Sequence, residues 1–139
     1  ANREGRINFD DLSMENGYSG WRAYAQSKLA NVIFTYELAR RLEGTGVTAN
    51  CMHPGAVSTN IFSNVKGVAG KLVRLFTLFM RTPEKGADTI IWLASSPEVE
   101  GVTGKYFVDR RERASNPQSY DREMAARLWE VSERMCNTI

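Results

Sequence analysis

The sequence predicts an α/β fold, and three observations carry that prediction. Apolar residues at helical spacing run from about Trp21 to Leu42. Two short strand-like runs stand at Val47–Met52 and Gly104–Asp109. Further helical segments lie between and after those runs. The order helix, strand, helices, strand, helix is a β-α-β crossover with extra elements. Two strands do not make a complete sheet, because a parallel pair needs helices on both faces and neighbours along its edges. The deficit predicts a piece of a larger, doubly wound parallel sheet: about two strands with flanking helices.

Each element has a local reason. Residues 1–20 are polar and glycine-containing, with one apolar alternation at Ile7-Asn8-Phe9, and read as a loop. In the first helix Leu29, Val32, Ile33 and Tyr36 fall at i, i+3, i+4 and i+7, and Gly44 and Gly46 stop it. Val47–Met52 reads as a strand closed by His53-Pro54-Gly55. A second apolar helix is expected near residues 68–80. Thr82-Pro83 then marks a helix start, with a capping residue followed by proline at the first helical position. Ile90, Ile91, Leu93 and Ala94 are expected on its apolar side, and Ser96-Pro97 ends it. Gly104–Asp109 reads as the second strand. The final helix, from about Ser119 to Met135, repeats Met124, Leu128, Val131 and Met135 on one face.

The bulk numbers exclude several function classes. The 139 residues are enough for one domain with a sizeable core. A net charge of +2 with no long basic run gives no footprint for nucleic acid, and Arg110-Arg111-Glu112-Arg113 reads as a solvated loop. Cys51 and Cys136 make neither a disulfide framework nor a metal site, and Cys51 reads as a small buried hydrophobe. No signal-peptide pattern stands at the N-terminus and no apolar run reaches bilayer length, so a cytoplasmic setting is expected. Leu72–Met80, flanked by Lys71 and Arg81, leaves peripheral membrane contact open beside a lid or core helix.

The stretch with chemical content is Tyr24-Ala25-Gln26-Ser27-Lys28. A tyrosine and a lysine four residues apart share one helical face, about 6 Å apart along the axis. A phenol, with a reference pKa of about 10, is a poor proton donor at neutral pH unless something stabilises its phenolate, and a neighbouring ammonium does so by Coulomb attraction. Alone, the pair is equally a surface Tyr–Lys contact.

Tyr24-x-x-x-Lys28 followed, one helix and one strand later, by Pro54-Gly55-Ala56-Val57-Ser58-Thr59 resembles the short-chain dehydrogenase/reductase family. Finer features resemble its retinol dehydrogenase and WW-domain-containing oxidoreductase branch: Gly5–Leu12 before the tyrosine, Ser27–Asn31 after it, Glu37–Leu42, and Gly101…Gly104-Lys105-Tyr106-Phe107. The likeness covers nearly the whole chain. It implies the C-terminal half of one Rossmann-like oxidoreductase domain (residues 1–139), its N-terminal half absent, with residues 60–81 as a substrate-side lid.

The resemblance also implies roles. Tyr24 would exchange a proton with the substrate oxygen. Lys28 would tune Tyr24 and hydrogen-bond the nicotinamide ribose. Pro54, Gly55 and Val57 would bring backbone against the nicotinamide carboxamide, with the Thr59 hydroxyl nearby. NADP or NAD is the implied cofactor, and a small apolar alcohol or carbonyl the implied substrate. The branch's catalytic serine would precede Ala1, so Ser13 is left unassigned. His53 lacks a Ser or Asp partner at a recognised spacing and reads as a loop-packing residue. Gly67–Lys71 only superficially suggests a phosphate loop, since Leu72 stands where Ser or Thr is needed. Two readings result: an alcohol/carbonyl oxidoreductase, or a truncated fragment or pseudo-enzyme with no dinucleotide binding of its own. A homodimer through the helix of residues 21–43 is left open.

Overall fold

The structure is a computed structural model and describes residues 5–55 and 81–137. Helix α1 (Gly20–Arg41) is followed by strand β1 (Cys51–His53), helix α2 (Pro83–Ser95), a 3-10 turn (Pro97–Val99), strands β2 (Tyr106–Val108) and β3 (Arg111–Glu112), a second 3-10 turn (Pro117–Tyr120) and helix α3 (Arg122–Cys136). The strands form one mixed sheet in the order β1-β2-β3. Gly104 donates to the Ala49 carbonyl and Cys51 to the Lys105 carbonyl, so β1 and β2 advance in the same direction. The expected second apolar helix near 68–80, the Gly67–Lys71 stretch and residues 60–80 of the expected lid lie outside the described residues.

The described residues form two compact units. In the first, Leu29, Val32, Ile33 and Tyr36 are all buried, as the helical spacing requires. Leu29 and Ile33 of α1 meet Ala125 and Leu128 of α3, with Ile7, Phe9 and Met124 packed against them. The N-terminal loop is therefore fastened to α1. Asn8 donates its amide to Gln26 Oε1 at 2.9 Å, and Gln26 Nε2 donates to the Leu12 carbonyl at 3.0 Å. Gly5 lies so close that a Cβ there would stand 2.4 Å from the Ala25 carbonyl oxygen. At the far end of α1, Glu37 accepts from both Arg40 and Arg41. Burial works to raise the Glu37 carboxyl, but the two guanidinium groups win and hold it below the usual carboxylate range.

A buried hydroxyl network closes this unit. Tyr36 Oη and Ser115 Oγ are 2.8 Å apart, Ser115 and Ser119 share a further bond of 2.6 Å, and Ser119 Oγ donates to the Asn116 carbonyl at 2.5 Å. Burial raises Tyr36 well above the ordinary phenol range, so it acts as a neutral hydroxyl.

The second unit holds α2, capped as Thr82-Pro83 predicts: Thr82 Oγ1 accepts from the Lys85 amide at 3.3 Å and proline occupies the first turn. Its packing differs from the expected apolar side. Ile90 and Ile91 are exposed, while Gly86 and Thr89 are buried, and Trp92 meets Phe107 edge-on at 5.6 Å.

Two further corrections concern the strands. β1 is shorter than Val47–Met52, because Asn50 turns its side chain to strand work. Its Nδ2 donates to the Val102 carbonyl at 2.7 Å and its Oδ1 accepts from the Lys105 amide at 3.0 Å. The expected loop Arg110–Arg113 contains β3. Asp109 and Arg110 both take left-handed φ values, 53° and 58°, and form the two-residue turn that folds β3 back on β2. Arg113 donates to the Tyr106 carbonyl at 2.9 Å, which fixes the register.

Candidate active site

The first turns of α1 build the site. Burying Ala25, Gln26 and Leu29 against the N-terminal loop and α3 commits one face of the helix, so Trp21, Tyr24 and Lys28 project from the other. Lys28 Nζ stands 5.4 Å from the centroid of the Tyr24 ring. Tyr24 is 49% exposed, and its ring meets that of Trp21, itself 61% exposed, at 6.1 Å. Ser27 donates its hydroxyl to the Tyr24 carbonyl at 2.8 Å, so it is spent on the helix backbone. Among the described residues the Tyr24 hydroxyl and the Lys28 ammonium make no hydrogen bond with a side chain or backbone group. The arrangement offers a bound molecule one phenolic O–H, one ammonium with three donors, and an indole wall.

Pro54 and Gly55 belong to the second unit, directly after β1. Gly55 has φ +81°, which a glycine takes without strain. Arg81 lies against it: a Cβ on Gly55 would fall 2.8 Å from Arg81 Nε and 2.9 Å from Cδ. Arg81 is held in turn by Asp109, as a fork whose second bond, from Nη2 to Oδ2, is 2.9 Å. The Arg81 guanidinium keeps the Asp109 carboxyl below its ordinary range. His53 ends β1; partial burial of its ring, reinforced by Arg81, pushes its pKa down. Val57 and Thr59 lie outside the described residues, as does most of the Pro54–Thr59 motif.

The structure thus brings Tyr24 and Lys28 together and gives Gly55 a neighbour that sequence reading missed. Arg81 and Asp109 carry no local signal, because their contacts are made across long loops. Cys51 is half-buried where a fully buried residue was expected; its thiol is free, and burial pushes its pKa up to about 11. Among the described residues no cluster of His, Cys, Asp or Glu could hold a metal ion, and no helix is long and apolar enough to cross a membrane. A cavity of about 570 Å³ lies at the opposite end of α1 between Tyr36, Arg40, Thr103 and Tyr120, away from Tyr24.

Comparison with known proteins converges on one family. Its sequence profile, described as short chain dehydrogenase, matches residues 5–68. Human retinol dehydrogenase 14 is 50% identical over 135 residues, covering 94% of this chain and 40% of its own length. Human retinol dehydrogenase 12 is 42% identical, with 95% of this chain and 42% of its own length covered. A crystal structure of an uncharacterized protein from Mycobacterium Paratuberculosis superposes with a TM-score of 0.66 at 31% identity, covering 94% of this chain and 44% of that one. The chain therefore spans about 40% of the length of the curated relatives it matches.

Proposed function

We propose, from the premise that this chain belongs to the short-chain dehydrogenase family, that the protein interconverts an alcohol and a carbonyl with a nicotinamide dinucleotide, NADP or NAD. The observation that carries this reading is the exposed Tyr24–Lys28 pair, with the ammonium 5.4 Å from the phenol ring. The residues present fit such a cofactor. Lys28 offers donors for ribose hydroxyls, and Gly55, at a left-handed φ that glycine takes without strain, turns the chain sharply after β1. The dinucleotide supplies the hydride chemistry when bound.

What the chain's own residues do follows from their chemistry. In the reducing direction the Tyr24 hydroxyl gives its proton to the substrate oxygen as negative charge develops there; in the oxidising direction its phenolate oxygen takes the alcohol proton. Lys28, at one turn's distance, stabilises the phenolate in both directions and holds the ribose. Pro54, Gly55 and Val57 supply backbone to the nicotinamide carboxamide, with Thr59 beside them. Trp21 and the relatives' printed names support an apolar alcohol or aldehyde as substrate. Residues 1–139 act as part of one catalytic domain, and residues 60–81 serve as its substrate-side lid.

The test is turnover of apolar primary alcohols by the full-length protein, with NAD and NADP compared. Tyr24→Phe is expected to lower turnover by about 10²- to 10⁴-fold, the scale of a lost general acid–base group. Retained turnover in Tyr24→Phe would remove the reading. A full-length protein that binds neither dinucleotide would instead favour the non-catalytic alternative.

A further inference from the structure

We infer that Arg81, held by Asp109, is the positioning residue that fixes the Pro54–Gly55 turn, and through it the backbone offered to the nicotinamide ring. This inference rests on the reading of that turn given under Proposed function. Four observations carry it, all within the second unit.

Gly55 combines a left-handed φ with contact against the Arg81 guanidinium and its stem, so the turn has little room to change. A flexible arginine could swing aside, but the Asp109 carboxylate grips both of its terminal nitrogens. The two-pronged bond fixes the guanidinium in orientation as well as position. Asp109 is itself over-determined. It occupies a left-handed position next to a second one at Arg110, a conformation that non-glycine residues take only at a cost. That cost is met from α2: Arg110 forks onto Asp88, and the Arg110 amide donates to Thr89 Oγ1 at 3.3 Å.

Asn-Gly would make the same turn with less strain. Asp-Arg is the sequence that makes it while aiming a carboxylate at Arg81 and a guanidinium at Asp88. The result is a relay of fixed contacts from α2 through the β2–β3 turn and Arg81 to Gly55. Toward the nicotinamide, Arg81 acts through the turn and not by direct contact.

The test uses the full-length protein with three substitutions: Asp109→Asn, Arg81→Ala and Arg81→Lys. Three readouts are taken: hydrogen exchange at the Gly55 amide without cofactor, dinucleotide affinity, and turnover at saturating dinucleotide. Asp109→Asn and Arg81→Ala are expected to speed Gly55 exchange and to weaken dinucleotide binding about tenfold, and Asp109→Asn to keep turnover at saturation within about twofold of wild type. Arg81→Lys, which keeps the stem and one charged contact, is expected to restore most of the affinity. The double variant Arg81→Ala/Asp109→Asn is expected to be no weaker than either single change, since both break one device.

Unchanged Gly55 exchange and affinity in Asp109→Asn, which preserves side-chain volume, would overturn the inference. So would affinity and saturated turnover falling together with the melting temperature, which would mark a general stability role. The exchange arm separates this failure from failure of the functional reading. Faster Gly55 exchange in a protein whose wild type binds no dinucleotide would overturn the functional reading and, with it, the role assigned to the clamp.

Discussion

The two units are held together by different forces. The first is an apolar core, Leu29 and Ile33 against Ala125 and Leu128, with a buried hydroxyl network beside it. The second leaves Ile90 and Ile91 exposed and ties α2 and the segment leading into it to the β2–β3 turn with arginine–carboxylate forks, Arg110–Asp88 and Arg81–Asp109. The first unit carries Tyr24 and Lys28 on a helix whose back face is committed to packing. The second carries the Pro54–Gly55 turn on a lattice of charge. In the proposed function, the proton donor would draw on a helix fixed by burial, and the backbone turn on a direction fixed by a two-pronged ion pair.

The contrast can be broken from either side. The largest stability effect is expected from Leu29→Ala, which opens a cavity at a fully buried site; it should cost about 2–5 kcal/mol by urea unfolding. A loss under about 1 kcal/mol would mean that the α1–α3 packing is not the core it resembles. Next in size, Tyr36→Phe removes one end of the buried hydroxyl network. It should cost about 1 kcal/mol, since Ser115 keeps Ser119 as a partner.

A smaller effect is expected from pH at the β2–β3 turn. The Asp88 and Asp109 carboxyls sit below their ordinary range because Arg110 and Arg81 hold their charged forms. Groups depressed in the folded state stabilise it above the unfolded carboxylate pKa of about 4, and that contribution is lost as pH falls through the folded value. Hydrogen exchange of β2 and β3 amides should therefore accelerate below about pH 4, with Asp109→Asn flattening the response. An acceleration that Asp109→Asn leaves unchanged would contradict the part given to the Arg81–Asp109 pair. The smallest effect is from salt: raising ionic strength should loosen the exposed forks and leave the apolar core unchanged.

The same contrast explains what was legible in the sequence. Burial at helical spacing is written in the chain, so Leu29, Val32, Ile33 and Tyr36 could be placed in the core from their spacing alone, and Thr82-Pro83 announced its own helix start. Tyr24 and Lys28 needed only the i, i+4 rule to be put on one face. Charge-built structure left no such trace. The β3 strand hid in an arginine-rich stretch, because its turn uses Asp109-Arg110 where Asn-Gly is the usual signal. β1 is shorter than its sequence suggests because at Asn50 the side-chain amide takes over the bonds to Val102 and Lys105. Ile90 and Ile91 were expected inside because their pattern records hydrophobicity and not what covers it. Arg81 could not be connected to Gly55, since nothing local records that the two meet.

The most direct test of the account is a double-mutant cycle at Tyr24 and Lys28 in the full-length protein, reading turnover at saturating dinucleotide. If the two form one acid–base device, the Tyr24→Phe/Lys28→Met variant will turn over no more slowly than Tyr24→Phe alone, because the ammonium has no phenolate left to stabilise. If the two losses simply multiply, the residues act independently, and the pair on α1 is a surface contact and not the centre of the chemistry.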